Sequence, residues 1–130
     1  MHTASTLTLI AVGLATSAAF IAPASAQEGA ATCQIIGNWA GWGQNGTGTF
    51  DIASGRTCTI APSTFGKFEG SKIAKRPEHG TVKQLGLSSW QYTAKTGYTG
   101  ADTFVIEGSG RDPGQKAGQR SQVTLNVNVR

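Results

Sequence analysis

Few side chains in this 130-residue sequence could carry out covalent or acid–base chemistry. A serine or cysteine nucleophile needs a base, and the only histidine beyond residue 26 is His79, in a turn-like Pro-Glu-His-Gly sequence. The carboxylates are few and scattered, so no pair is spaced for glycoside hydrolysis, and no phosphate-binding glycine loop or dinucleotide fingerprint is present. The sequence therefore predicts no catalytic residue and no cofactor, and we expect that the protein is not an enzyme.

Two cysteines, Cys33 and Cys58, are the other chemically reactive side chains. They are too far apart for a redox-active Cys-x-x-Cys pair, and His79 alone could join them as a metal ligand. A structural disulfide suits an oxidising compartment, where such pairing is favoured. We therefore predict a Cys33–Cys58 bridge, which would stabilise the domain by roughly 3 kcal/mol by restricting the unfolded chain.

The N-terminal 26 residues differ in composition from the rest of the chain. They contain no Lys, Arg, Asp or Glu, and an apolar run from Leu7 to Ala22 is followed by a small-x-small sequence that ends at Ala26. The alternative is a membrane-anchoring helix, but Ser and Thr interrupt the run and no basic cluster follows it. We therefore predict a signal peptide over 1–26 and a mature chain without a transmembrane segment, which is periplasmic or secreted.

The pattern beyond the signal peptide predicts strands and almost no helix. In the last segment, Val123–Val129, apolar residues alternate with polar ones, which is typical of a strand with one buried face. Shorter alternating segments, separated by turn-forming residues, raise the total to about six or seven strands and favour a β-sandwich. The predicted segments are Phe50–Ile52, a turn at 54–56, Cys58–Ile60, a hairpin of 80–85 with 89–93 around Gly86, a buried strand at 103–107, and a loop at 108–114.

Residues 27–48 form a different kind of segment, which is rich in glycine and contains Trp39 and Trp42. Ordered glycine costs more backbone entropy than alanine, so this glycine density disfavours a strand. We predict an irregular lead-in over 27–48, held by Cys33, before a domain at 49–130. The two indole rings could stack on a sugar or lie in the core, because both alternatives look the same in sequence.

Three ordered motifs within residues 77–129 carry a resemblance to a known family. They are Pro77–Val82, Trp90–Thr93 and Gly97–Phe104, followed by the alternating last strand. These residues resemble the bacterial Ig-like, cadherin-like domains of the VCBS type, which occur as tandem repeats in large surface and secreted proteins. The resemblance implies a single-copy, antiparallel Ig-like β-sandwich of about seven strands at 49–130.

The last of these motifs has folding roles. Tyr98 would form a tyrosine corner, with its ring packed and its hydroxyl bonded to nearby backbone. Gly97 and Gly100 would permit backbone angles or close approaches that a Cβ hinders, and Asp102 is placed to accept backbone N–H bonds in the turn. Phe104 begins the inward face of the next strand.

Calcium is an ion that such repeats can bind, and here the sequence departs from their pattern. No acidic residue occurs over 59–66, and Arg111 places an opposing charge beside Asp112 in the later loop. A Ca²⁺ site needs about six to eight oxygen ligands, usually with several carboxylates. We therefore predict no Ca²⁺ site, and a site that did exist would use Asp102, Glu107 and Asp112.

Charge is the remaining functional signal in the sequence. A positive surface attracts polyanions at long range, and this attraction weakens with salt. For an exported protein the expected partners are anionic envelope polysaccharide, lipid head groups or another envelope protein, and not nucleic acid; the alternative is a solvated basic surface with no specific partner. The chain has a net charge of +4 and a pI near 9.4, and its clustered cations are Lys67, Lys72, Lys75, Arg76 and Lys83.

Two classes of function are consistent with these patterns. The first is a non-catalytic structural, adhesion or binding module of the cell envelope or the extracellular space. The second is a carbohydrate- or polyanion-binding protein, which would use Trp39 and Trp42 or the basic cluster at 67–83. Solvent exposure of the two indole rings discriminates between a stacking role and a core role.

Overall fold

The computed structural model describes Gly13 and residues 30–61 and 67–130, so the predicted signal peptide over 1–26 lies outside it apart from Gly13. Within these ranges the protein consists of nine strands and contains no helix. The described part of the chain accordingly has no helix long and apolar enough to cross a membrane. The strands are β1 (Ala31–Thr32), β2 (Ile36–Asn38), β3 (Gly46–Ile52), β4 (Thr57–Ile60), β5 (Lys67–Lys75), β6 (Gly80–Gly86), β7 (Ser89–Ala94), β8 (Gly100–Arg111) and β9 (Gln119–Val129).

These strands form two sheets, in the orders β1-β4-β7-β6 and β2-β3-β9-β8-β5. The predicted all-β class is confirmed, but two details of the prediction are corrected. Both sheets are mixed and not wholly antiparallel, because β1 pairs with β4 and β3 pairs with β9 in parallel. Three strands were not predicted: β5, and the short strands β1 and β2, whose two and three residues are too few for alternation to be visible in the sequence.

The core lies between the two sheets, because the inward residues of both are apolar. Along β3, buried and exposed positions alternate over all seven residues, with Phe50 inward and Asp51 outward. The ring of Phe50 meets Tyr92 of the other sheet edge-on, with centroids 5.7 Å apart, and Tyr92 stacks on Phe104 at 5.4 Å. Removing apolar surface such as these rings from water is the main favourable contribution to folding.

Alternation located several strands correctly. β6 and β7 form the expected antiparallel hairpin, in which Thr81 lies opposite Thr93. The predicted segment 123–129 lies within β9, which begins at Gln119. The expected turn at 54–56 separates β3 from β4, and because these two strands belong to different sheets, it connects the sheets.

The segment predicted as a loop at 108–114 begins in a strand. β8 continues as far as Arg111 because its glycines remain paired with β9, with Gly108 opposite Ser121 and Gly110 opposite Gln119. Backbone pairing on a neighbouring strand therefore outweighs the entropy that ordered glycine loses.

The glycine-rich lead-in is also less irregular than its composition predicts. It contains β1, β2 and the first residues of β3, so a strand already begins at Gly46, before the expected start of the domain at residue 49. Gly48 is paired on both sides, with Gly37 of β2 and with Leu125 of β9. Its backbone groups therefore have partners in spite of the glycine density.

The predicted disulfide between Cys33 and Cys58 is present, with 5.0 Å between the two Cα atoms. Cys58 lies in β4, and Cys33 directly follows β1, whose parallel pairing continues in a hydrogen bond from the Cys33 N–H to the Thr59 carbonyl at 2.9 Å. The bridge thus fastens the lead-in segment to the four-stranded sheet. Disulfides persist in oxidising surroundings, so this bridge indicates a compartment other than the cytoplasm.

Candidate functional site

A cavity of about 640 Å³ opens between the two sheets at one end of the molecule. Ile60 at the end of β4 and Trp90 near the start of β7 line it from one sheet, and Ile106 and Leu125 line it from the other. Trp42, from the connection between β2 and β3, completes the wall. We call this cavity the tryptophan cleft.

The position of Trp42 depends on residues that are distant in the sequence. Its ring lies against two glycines of β8: a Cβ added at Gly108 would lie 2.9 Å from Cη2 of the ring, and one added at Gly110 would overlap the ring. The backbone N–H of Trp42 donates to the Asp112 carboxylate at 3.0 Å, and its carbonyl accepts from the Gln115 side chain at 3.1 Å. These contacts hold Trp42 in the wall of the cleft, where it is only 3 % exposed.

The two tryptophans expected as stacking surfaces do not form an exposed pair. Trp42 is enclosed by aromatic neighbours, with Phe68 edge-on at 4.8 Å and Trp39 edge-on at 5.2 Å. Trp39 is half-buried, and its indole N–H donates to the Gln44 carbonyl at 3.0 Å. A sugar approaching from solvent would therefore reach Trp39 but not the face of Trp42.

Two other indole groups in the cleft differ from Trp39 in their hydrogen bonding. The N–H groups of Trp42 and Trp90 are buried, and neither has an acceptor among the described residues. More than about 90 % of buried polar groups in proteins have a hydrogen-bond partner. Trp42 and Trp90 are only 3 % and 2 % exposed, so these two donors are unusual buried groups.

The described residues that line the cleft include no Lys, Arg, Asp, Glu or His. Its polar lining residues Thr32, Gln34 and Asn38 are exposed, and the apolar Ile35 among them is 38 % exposed, so this side of the cleft meets solvent. The cleft can therefore offer mainly apolar contact. The hydroxyl groups in its described wall are those of Thr32, Thr47 and Ser121.

The Gly97–Phe104 motif lies away from the cleft and contains a dense set of hydrogen bonds. Asp102 is 5 % exposed, and its carboxylate accepts from the Tyr92 hydroxyl at 2.8 Å. It also accepts the backbone N–H groups of Glu78 at 3.1 Å, His79 at 3.2 Å and Thr103 at 3.0 Å. We call this group of bonds the Asp102 network.

The Asp102 carboxylate accepts most of its hydrogen bonds from residues outside its own turn. The sequence predicted that Asp102 accepts bonds within its own turn, but two of the three backbone donors belong to residues 78–79, ahead of β6. Because Tyr92 lies in β7 and Asp102 in β8, the network also joins the two sheets. Burial raises the pKa of the Tyr92 hydroxyl well above its usual range, and the hydrogen bond and charge of Asp102 raise it further.

The remaining residues of the motif have packing roles. The Tyr98 hydroxyl donates to the Ala101 carbonyl at 2.6 Å, and its ring stacks on His79 with centroids 3.9 Å apart. Gly97 and Gly100 have φ angles of 87° and 134°, which side chains with a Cβ rarely adopt. Tyr98 is thus held at a corner, as the sequence predicted, and His79 is engaged as its stacking partner.

The carboxylates considered for calcium are not brought together. Asp102 is used in its own network, and Asp112 accepts the backbone N–H of Trp42. Glu107 lies 3.9 Å from the Arg120 guanidinium. Within the described ranges, no group of three or more His, Cys, Asp and Glu residues is placed to hold a metal ion.

The predicted basic cluster is divided between two strands at one flank of the molecule. Lys72 pairs across from Glu107 on β8, and Lys83 of β6 pairs across from Gln91 in the other sheet. All five cations are exposed, and among the described residues none of them forms an ion pair within 4.0 Å. The members of this basic flank are Lys67, Lys72 and Lys75 of β5, Arg76 directly after it, and Lys83.

The cleft and the place of Trp90 in its wall were not predicted from the sequence. One signal was present, since Gly108 and Gly110 are two residues apart in a segment that alternates. In a strand this spacing places both on one face, where their missing side chains leave room for a large ring. Nothing in the sequence indicates that the ring belongs to Trp42.

No protein-family model matches this sequence, and no curated protein is similar to it at a significant level. Among solved structures, the solution structure of amebosin is similar to this chain with a TM-score of 0.38 and 20 % sequence identity. That similarity covers 67 % of this chain and 97 % of the amebosin chain. A similarity at this level carries no argument about fold or function.

Proposed function

We propose that this protein is an exported, non-catalytic Ig-like module that acts by binding outside the cytoplasm. The observation that carries the proposal is the strand order. If β3 to β9 are labelled A to G, the sheets read β1-B-E-D and β2-A-G-F-C, with the short strands β1 and β2 added at one edge of each. Ig-like domains set strands B, E and D against C, F and G, and the first strand here joins G in parallel.

The non-catalytic part of the proposal is supported by the contacts of the reactive side chains, which are stacked, hydrogen-bonded or joined in the disulfide. His79 is stacked on Tyr98, and Asp102 is buried with four donors. Both cysteines are in the disulfide. The groups that could act in catalysis are therefore used to build the domain.

Export is supported by the apolar, uncharged residues 1–26 and by the disulfide. The test is to express the whole chain in a bacterium, fractionate the cells and measure the intact mass of the protein. We expect a chain that starts at Gln27, in the periplasm or medium, with no free thiol before reduction. A protein that keeps residues 1–26 and carries two free thiols in the cytoplasm would contradict the proposal.

Polyanion binding through the basic flank is a second candidate for the binding mode. It is favoured by the five exposed cations without ion pairs, whereas Arg111, Arg120 and Arg130 each lie within reach of a carboxylate. Exposed charges are screened over about 8 Å at 0.15 M salt and over about 30 Å at 0.01 M. Binding by the flank should therefore fall steeply between these two conditions.

Sedimentation of the exported protein with purified anionic envelope polysaccharide tests this mode. Reversal of Lys72, Lys75 and Arg76 to Glu should abolish retention at low salt. The matched control is reversal of three exposed cations elsewhere, Arg56, Lys95 and Lys116, which changes the net charge equally.

Three outcomes of the sedimentation contradict binding by the basic flank. They are equal loss of retention in both triple variants, no retention of the parent at low salt, and retention that is insensitive to salt. The last result, combined with loss in Trp39→Ala, would favour stacking on a sugar.

A further inference from the structure

The turn between β6 and β7 exposes two leucine side chains. Leu85 is 46 % exposed, Leu87 is 49 % exposed, and only Gly86 lies between them in the sequence. Single exposed apolar residues are normal on protein surfaces. Two such residues at the end of one hairpin expose more apolar surface in one place, and we call this pair the leucine tip.

Hydrogen bonds to β5 hold the leucine tip beside the basic flank. The Ser71 hydroxyl donates to the Leu87 carbonyl, and the Gln84 side chain donates to the Ser71 hydroxyl at 2.8 Å. Ser71 directly precedes Lys72, which is a member of the flank. β5 and β6 are also the outermost strands of their sheets. The leucine tip and the basic flank therefore lie on the same side of the sandwich.

The carboxylates near the basic flank leave most of its charge uncompensated. Glu69 lies 3.6 Å from the Arg111 guanidinium. Glu107 lies 3.9 Å from the Arg120 guanidinium, so both carboxylates have a partner outside the flank. Glu78 precedes β6 and thus lies at the opposite end of that strand from the leucine tip. The cations of the flank are therefore available to an external anion.

The other exposed large apolar side chains of the described residues lie in different surroundings. They are Ile35 and Ile36, and Ile36 begins β2. β2 and β5 are opposite edges of the five-stranded sheet. Residues 30–48 around the two isoleucines contain no Lys, Arg, Asp, Glu or His. Within the described part of the chain, apolar exposure and clustered positive charge coincide only at the leucine tip.

An anionic lipid surface offers a partner to both features. Lys and Arg are attracted to anionic head groups, and apolar side chains gain free energy when they leave water for the boundary of the acyl chains. One weak signal of this kind gives marginal binding to a membrane, whereas two signals together bind more stably. A polysaccharide could pair with the cations, but it has no apolar interior for the two leucines.

We propose that the basic flank and the leucine tip together bind the surface of a membrane that contains anionic lipids. The cations lie over the head groups, Leu85 and Leu87 enter the boundary of the acyl chains, and the rest of the domain stays outside the bilayer. This inference rests on the proposed binding role of the exported protein, and it names a lipid surface, in place of polysaccharide, as the partner of the flank.

Sedimentation of the exported protein with vesicles tests the proposal. The vesicles contain either phosphatidylcholine alone or equal parts of phosphatidylcholine and phosphatidylglycerol, and we expect retention at low salt only on the second kind. The double variant Leu85→Ser/Leu87→Ser should partition onto these vesicles at least roughly tenfold more weakly, because it loses apolar surface that the lipid would cover. The matched control is Ile36→Ser, which removes an exposed apolar side chain at the opposite edge and should change partitioning by less than roughly twofold.

Three results with the vesicles would overturn the proposal. They are no retention of the parent protein, equal retention on both kinds of vesicle, and equal partitioning of the parent and the double Ser variant. Anionic polysaccharide is tested in parallel. If the parent and the double Ser variant are retained equally by polysaccharide and neither binds vesicles, the lipid proposal fails and the polyanion candidate stands. If the parent binds neither partner, both fail.

Penetration of a lipid monolayer keeps the test decisive if the Ser variants do not fold. The parent protein should raise the surface pressure of a phosphatidylglycerol monolayer at low salt, because the leucine tip enters among the lipids. Attachment by charge alone leaves the lipids in place and the pressure unchanged. Binding of the parent without a rise in surface pressure would overturn the proposal.

Discussion

β8 contributes to two buried regions, and the buried polar groups are hydrogen-bonded in one region and unpaired in the other. Near its start, the carboxylate of Asp102 accepts four hydrogen bonds and joins both sheets. Near its other end, Gly108 lies against Trp42 in the tryptophan cleft, where two indole N–H groups have no acceptor among the described residues. Burial alone does not distinguish these regions. The difference shows that burial and pairing of polar groups are separate properties: the hydrogen bonds at Asp102 stabilise the fold, and the two unpaired indole donors lower its stability.

The largest effect is expected in the Asp102 network. Asp102→Ala leaves the Tyr92 hydroxyl and the backbone donors of residues 78–79 without their acceptor. We expect a loss of about 3–5 kcal/mol in the free energy of unfolding, measured by urea denaturation. The control Asp51→Ala removes an exposed ion pair with Arg130 and an exposed hydrogen bond from the Asn128 side chain, and it should cost less than about 1 kcal/mol. Equal stability of the two variants would break the comparison, because Asp102 would then not hold the fold.

The disulfide is expected to have the next largest effect. Replacing both Cys33 and Cys58 by Ser should lower the free energy of unfolding by about 3 kcal/mol, because the unfolded chain gains freedom. Urea midpoints with and without reductant measure this effect. Reductant should destabilise the parent and leave the double variant unchanged. A parent whose midpoint does not respond to reductant would contradict the prediction.

A methyl group behind the tryptophan ring tests the packing of the cleft wall. In Gly110→Ala the new Cβ would overlap the ring of Trp42 and the Lys67 carbonyl, so we expect a loss of about 2 kcal/mol in unfolding free energy and a changed near-UV circular dichroism spectrum. The control is Gly86→Ala, since a Cβ there meets nothing within 4 Å. If both variants resemble the parent, Trp42 does not pack on β8.

The smallest effect is expected at the corner. Tyr98→Phe removes the hydroxyl that donates to the Ala101 carbonyl and keeps the ring on His79, so it should cost about 1 kcal/mol. The exposed Thr99→Ala, next to it, should change the unfolding free energy by less than about 0.5 kcal/mol. A Tyr98→Phe protein as stable as Thr99→Ala would show that the corner bond contributes nothing.

The sequence predicted well those parts of the fold that depend on local pattern. The β6–β7 hairpin and β9 were located from the two-residue period of their apolar residues. The disulfide was predicted because cysteine pairing is favoured in an oxidising compartment. β5 was missed because bulges at Phe68/Gly70 and Ile73/Lys75 interrupt its alternation. Its many charged residues also masked the strand.

The candidate site could not be predicted for a different reason. Trp42 is held by Gly108, Gly110, Asp112 and Gln115, all more than 60 residues along the chain. A glycine-rich segment was therefore interpreted by its local composition, as an irregular lead-in. Trp42 becomes buried only when the two sheets have assembled. The bonds that Asp102 makes to residues 78–79 likewise depend on residues that are distant in the sequence.

The contrast between the paired network and the unpaired cleft is tested most directly by Raman spectroscopy of the ligand-free exported protein. The indole N–H bending band differs in position between hydrogen-bonded and free indoles, and the chain contains three tryptophans. We predict two components, with one bonded indole from Trp39 and two free indoles from Trp42 and Trp90. The Trp39→Phe variant should retain only the free component. A single bonded component from all three tryptophans would contradict the absence of a hydrogen-bond acceptor for the indole N–H groups of Trp42 and Trp90.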